Sequence, residues 1–130
     1  MYRKVTHDIE VTVEPSFMPE HSSPEKRRFV WAYEIEIRNL GPDTVRLRNR
    51  HWMITDANGE IEEVRGAGVV GEQPTLEPGS SFRYTSGCPL ATSSGIMVGD
   101  YEMERETGER FFVDIPAFSL DLPNHRPTVN

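Results

Sequence analysis

Apolar and polar residues alternate with a period of two along most of the chain, and no window carries the 3.6-residue apolar period of an amphipathic helix. Val5, Ile9, Val11 and Val13 fall on odd positions with Asp8, Glu10, Thr12 and Glu14 between them, which predicts one half-buried strand. Pro15, Pro19 and Pro24, with Ser22 and Ser23, predict a long polar loop. The cleanest strand follows: Phe29, Trp31, Tyr33, Ile35 and Ile37 alternate with Val30, Ala32, Glu34, Glu36 and Arg38. Asn39-Leu40-Gly41-Pro42-Asp43 reads as a turn, with a return strand over about 44–55. Asp56-Ala57-Asn58-Gly59 closes a hairpin on an Asn-Gly signal, and Ile61 and Val64 belong to a short strand beyond it.

Glu77-Pro78-Gly79-Ser80 suits a type II turn, and residues 81–86 alternate Phe82 and Tyr84 inward. The small-residue stretch 87–99 reads as a loop. Tyr101 and Met103 open a hairpin that turns at Thr107-Gly108 and returns through Phe111, Val113 and Ile115. Placing all five on one face requires an odd loop with Gly108 in the left-handed region. Phe118, Leu120 and Leu122 form a last short alternation, and 124–130 reads as a loose tail. The pattern is all-β: an antiparallel β-sandwich or barrel of about seven or eight strands with little or no helix.

Composition narrows the function more than the fold. At 130 residues the chain reads as one domain, 1–130, large enough to bury about 65–70% of its unfolded surface. Mean hydropathy is −0.55, and no apolar run reaches the ~20 residues of a membrane helix. The first residues carry charge but no apolar segment, so no secretory signal is expected. Cys88 is the sole cysteine, which excludes an internal disulfide or CxxC site and fits the cytoplasm. A formal net charge of −7 argues against nucleic acid as a partner.

The one string with the look of a ligand motif is Gly66-x-Gly68-x-x-Gly71, inside Val64-Arg65-Gly66-Ala67-Gly68-Val69-Val70-Gly71-Glu72-Gln73-Pro74. A dinucleotide fingerprint needs a helix after its glycines, whose N-terminus receives the pyrophosphate. Pro74, Pro78 and Gly79 preclude that helix, Glu60, Glu62, Glu63 and Glu72 repel phosphate, and no P-loop lysine follows. The glycines are expected to serve positive φ angles or close strand approach, with an anion-binding nest as the alternative. Arg46, Arg48 and Arg50 share one parity. A turn near Pro42 would pair Glu36 with Arg48, Glu34 with Arg50 and Ile37 with Leu47, a solvated ion-pair ladder contributing about 0.2–1 kcal/mol per pair. Trp52 is expected as a core or rim aromatic and His51 as an edge residue that finds a hydrogen bond, with Arg65, His51 and Trp52 the candidate rim contacts of the glycine loop. No histidine spacing suggests a metal site, and neither Cys88 nor the serines lie in a nucleophile motif, so no catalytic residue is assigned.

Several strings carry a family resemblance: Arg50-His51-Trp52, Ile54-Thr55-Asp56, the stretch from Gly66 to Pro74, Phe82-x-Tyr84-x-Ser86-Gly87, Gly99-x-Tyr101-x-Met103 and Ile115-Pro116-Ala117-Phe118. They resemble the ApaG family over nearly the whole chain. The resemblance implies a fibronectin type III or immunoglobulin-like sandwich, a genomic setting beside diadenosine-tetraphosphate hydrolases and a link to cobalt and magnesium tolerance. It also implies use as a protein-binding module in eukaryotic F-box and polymerase-interacting proteins. It supplies no catalytic residues. The expectation is a non-enzymatic module for an unidentified protein partner, monomeric or homodimeric and free of membrane, without an obligate cofactor. The alternatives are nucleotide or pyrophosphate binding through Gly66, Gly68 and Gly71, with Arg65, His51 and Trp52 at the rim, and a role in Mg or Co homeostasis.

Overall fold

The computed structural model describes residues 1–123; the tail expected over 124–130 lies outside them. Among the described residues the strands are β1 (Tyr2–Thr6), β2 (Ile9–Phe17), β3 (Phe29–Asn39), β4 (Val45–Asp56), β5 (Ile61–Ala67), β6 (Thr75–Leu76), β7 (Ser81–Leu90), β8 (Gly95–Arg105) and β9 (Arg110–Leu120). Two single 3₁₀ turns, Pro19–His21 and Pro24–Lys26, stand in for helix. The strands form two antiparallel sheets, β1-β2-β3-β7 and β5-β4-β8-β9, with β6 beside β4. They pack face to face as a sandwich. Ile9, Val11, Val13, Trp31, Ile35 and Ile37 of the first sheet bury against Leu47, Trp52, Tyr101, Met103, Val113 and Phe118 of the second.

The two glycine turns behave as their chemistry requires. Gly79 has φ +83 and the Ser80 N–H donates to the Glu77 carbonyl, closing the turn at Pro78. Gly108 has φ +91 in a three-residue loop, so Tyr101 opposes Val113 and Met103 opposes Phe111.

Four expectations need correction. The single strand over 5–13 is a hairpin, folded at His7-Asp8 with φ 49° and 65°. A two-residue turn with both φ positive matches strand twist, though His-Asp lacks the Asn-Gly signal. It sets Thr6 opposite Ile9, so Val5 pairs with Glu10 and points to solvent. β2 then runs on to Phe17, and Pro15 falls where β1 has ended and no ladder N–H is needed.

The Glu–Arg ladder is absent among the described residues, because β3 and β4 belong to different sheets. Leu40 to Thr44 is a crossover, clamped by the buried Asn39 side chain. Its Nδ2 donates to the carbonyls of Asp43 and Leu76, and its Oδ1 accepts from the Gly41 N–H. Glu36 pairs with Arg83 at 2.8 Å, and Arg48 pairs with Glu104 at 2.6 Å.

Residues 87–99 are mostly strand, broken only between Leu90 and Gly95. Glycine marks close approach here rather than a loop. A Cβ on Gly99 would stand 2.5 Å from the His51 carbonyl oxygen and 2.7 Å from the Trp52 ring. Finally, Phe111 to Leu120 form one strand. Its inward parity switches from odd to even at a bulge, where Val98 faces both Pro116 and Ala117.

Candidate functional site

A second bulge organises the glycine stretch. Leu47 opposes Met103 and Asn49 opposes Glu102, so Arg48 is the extra residue in β4. Before it Val45 and Leu47 point inward; after it the even positions Arg50, Trp52 and Ile54 do. The bulge therefore turns Arg50 into the mouth of the sandwich. It also frees the Arg48 carbonyl, which accepts from the Gly68 N–H at 2.9 Å and from Gln73 Nε2 at 2.9 Å. Leu47 donates to the Pro74 carbonyl and Arg46 Nε to the Gln73 carbonyl, so the Gln-Pro end is tied to the same strand.

Each glycine in the string has its own reason. A Cβ on Gly66 would lie 2.8 Å from Cζ and both terminal nitrogens of Arg50, so Gly66 leaves room for the guanidinium to stack. Gly68 has φ +64, and its Cβ would meet the Glu72 carbonyl oxygen at 2.2 Å. Val69 and Glu72 exchange backbone hydrogen bonds around a tight turn with Val70 at φ 43° and Gly71 at φ +81. Positive φ is costly for a β-branched residue, and Val70 stands exposed at the tip while Val69 is buried as its anchor.

Beneath this turn lies a recess of roughly 200 Å³ lined by Tyr33, Arg50, Trp52, Val69, Val70, Gly71, Tyr84 and Ser86. Arg50 Nη1 donates to the carbonyls of Ala67 and Gly68. Burial raises the Tyr33 and Tyr84 phenols above their ordinary range. The neighbouring Ser86 hydroxyl for Tyr33, the hydrogen bond with Tyr101 for Tyr84, and the nearby Arg50 charge for both oppose that rise. Tyr84 and Tyr101 share a hydroxyl–hydroxyl hydrogen bond in the core.

The solvent face of the second sheet carries the other candidates. His51 Nε2 lies 2.9 Å from Glu63 and its Nδ1 3.8 Å from Asp100. The His51 hydrogen bond, then the Arg65 charge, hold the Glu63 carboxyl below its ordinary value. These residues edge an open depression of roughly 470 Å³ that Arg65, Gly66, Glu102 and Phe112 also line. Among the described residues no group of three or more His, Cys, Asp or Glu side chains could hold a metal ion. Further along, Ile61, Ile96 and Val98 are 61%, 51% and 47% exposed, beside half-buried Thr55 and Met53.

The expected site residues thus separate. Gly66, Gly68 and Gly71 shape the loop, while Arg65 and His51 sit on the outer face. Of its two expected places Trp52 takes the core, edge-on to Tyr33 and Phe118, and from there it also lines the recess. Burial pushes the Cys88 thiol up to about 11, which leaves it protonated and unreactive near neutrality. Sequence reasoning passed over Tyr33, Tyr84 and Ser86 as site residues. The signal for the recess was the parity switch between Leu47 and Trp52, which only a bulge explains.

The ApaG domain model matches residues 19–105. Protein ApaG of Brucella anthropi is 62% identical over 130 residues, covering all of both chains. The chain belongs to the ApaG family. Protein ApaG of Rhodopseudomonas palustris is 59% identical over the same full length. A crystal structure of an ApaA protein from Bordetella pertussis superposes with a TM-score of 0.88 at 46% identity, covering 91% of this chain and 96% of that one. The two-sheet architecture is therefore shared with solved structures of close relatives. No helix among the described residues is long and apolar enough to cross a membrane.

Proposed function

We propose that this chain is a non-enzymatic protein-binding module of the cytoplasm, and that a partner protein covers the solvent face of the second sheet. The observation that carries this reading is the apolar strip of Ile61, Ile96 and Val98 on a face where charge would be expected. Half-buried Thr55 and Met53 join these residues into one surface across three neighbouring strands. The strip ends at β5, an edge strand able to accept an added strand, with exposed Glu60 and Glu62 beside Ile61. That charge favours an extended partner segment with an apolar anchor flanked by basic residues. The free, buried thiol of Cys88 accords with a reducing compartment.

Nucleotide capture by a nest of loop N–H groups has less support, because those of Gly68, Val69 and Glu72 are spent on protein carbonyls. A divalent-metal role has less support still, since His51 is hydrogen-bonded to the Glu63 carboxylate, with Asp100 farther off at 3.8 Å, rather than set in a ligand cluster.

The test is affinity retention of proteins from the native cell extract on immobilised wild type and on an Ile96→Glu/Val98→Glu variant. Matching thermal melts establish that both are folded. The expected result is a protein retained by wild type and lost from the variant. Identical retention on both would place the interface elsewhere and overturn the reading.

A further inference from the structure

We propose that the recess beneath the Val70-Gly71 turn is a binding site for one small oxyanion, a phosphate or carboxylate group, held by Arg50 with Tyr33, Tyr84 and Ser86. The argument begins with charge. Among the described residues every lysine and arginine other than Arg50 is either exposed or paired with a carboxylate. Arg50 is half-buried between the sheets with no carboxylate within 4 Å. A cation withdrawn from water without a counter-ion is costly, and the cost falls when an anion enters.

The donors converge as an anion requires. Arg50 Nη1 is occupied by the Ala67 and Gly68 carbonyls, which fixes the guanidinium plane against Gly66. Nε and Nη2 have no protein acceptor among the described residues. Tyr33, Tyr84 and Ser86 line the same recess from the opposite sheet, and no carboxylate lines it. The buried Tyr101 hydroxyl, which has no other partner among the described residues, donates to that of Tyr84 and leaves the Tyr84 proton to give. Guanidinium and hydroxyl donors around a small concave space form an oxyanion cradle, since charge-assisted bonds of this kind are the strong ones.

Size sets the ligand class. Roughly 200 Å³ is less than the ~300 Å³ at which sites for drug-sized molecules begin. The recess takes a free ion or the terminal group of something larger, not a whole nucleotide. The site also differs from a glycine nest, because its donors are side chains under the loop and the loop serves as a roof. Val69 anchors that roof in the core while Val70 and Gly71 project from it.

The test is an NMR titration of the full ¹⁵N-labelled chain with sodium phosphate and, separately, sodium acetate, at ionic strength held constant with sodium chloride. The expected result is saturable shifts at the Val69, Val70, Gly71 and Ser86 amides and the Trp52 indole. Phosphate alone would identify a phosphoryl group as the ligand, acetate alone a carboxylate, and both a general oxyanion site. Arg50→Gln is expected to weaken binding at least about tenfold. Because Arg50 also braces the loop, Ser86→Ala is the second variant; it leaves the bonds to Ala67 and Gly68 in place and should weaken binding about threefold. The absence of saturation by tens of millimolar of either salt would overturn the proposal. So would affinities unmoved by both variants, or shifts centred on His51 and Arg65.

Discussion

The two sheets of this sandwich are built from similar strands yet differ in regularity. β2, β3 and β7 pair without a break in register, and the outer face of that sheet satisfies its own charges through Arg83 with Glu36 and Arg3 with Glu10. The second sheet has bulges at Arg48 and at Pro116-Ala117. It also carries the inward arginine, the histidine between two carboxylates and the exposed apolar strip. An extra residue reverses which side chains face in, so it can aim a charge at the interior without disturbing the strands beyond it. Regular pairing gives one sheet stability and a closed surface; the bulges give the other its candidate sites.

Removing the irregularity gives the largest effect. Deleting Arg48 would restore an unbroken ladder, and the side chains on one side of the deletion would swap faces. Either Val45 and Leu47 or Trp52 and Ile54 would then leave the core. The expected outcome is loss of cooperative thermal unfolding, and a variant melting like wild type would show that the bulge does not set parity.

A milder comparison lies within the loop. Gly68→Ala combines φ +64 with a 2.2 Å approach to a backbone oxygen, whereas nothing lies within 4 Å of a Cβ at Gly71. Gly68→Ala should cost about 3 kcal/mol and Gly71→Ala about 1 kcal/mol, read from urea unfolding. Equal costs would mean that φ alone, not the close approach, constrains Gly68.

The smallest effect is on pH dependence. The Arg48 hydrogen bond, then its charge, hold the Glu104 carboxyl below its ordinary 4.5, and Glu63 is lowered by His51. A depressed folded-state value stabilises above the unfolded value, and that stabilisation fades as pH falls through the folded one. Melting temperature should therefore decline on acidification from about pH 5, and Glu104→Gln should make that decline shallower. An unchanged slope would remove the Arg48–Glu104 pair from the acid response.

The sequence by itself determined the class of fold, the main strands and most turns, because period-two alternation and left-handed glycines are local properties. Asn58-Gly59, Pro78-Gly79 and Gly108 specified their turns without help from the rest of the chain. The glycine string was legible as architecture too, since the prolines after it ruled out a phosphate-binding helix. Sheet membership was not legible. Whether Asn39 to Asp43 folds β4 back onto β3 or sends it to the other sheet depends on the Asn39 amide reaching Leu76, 37 residues away. The same holds for the partners of Arg48 and Arg50, which are chosen by Glu104 and by the loop carbonyls. Alternation fixes which residues share a face of one strand; tertiary packing alone decides which strand that face meets, and with it where a half-buried arginine ends up.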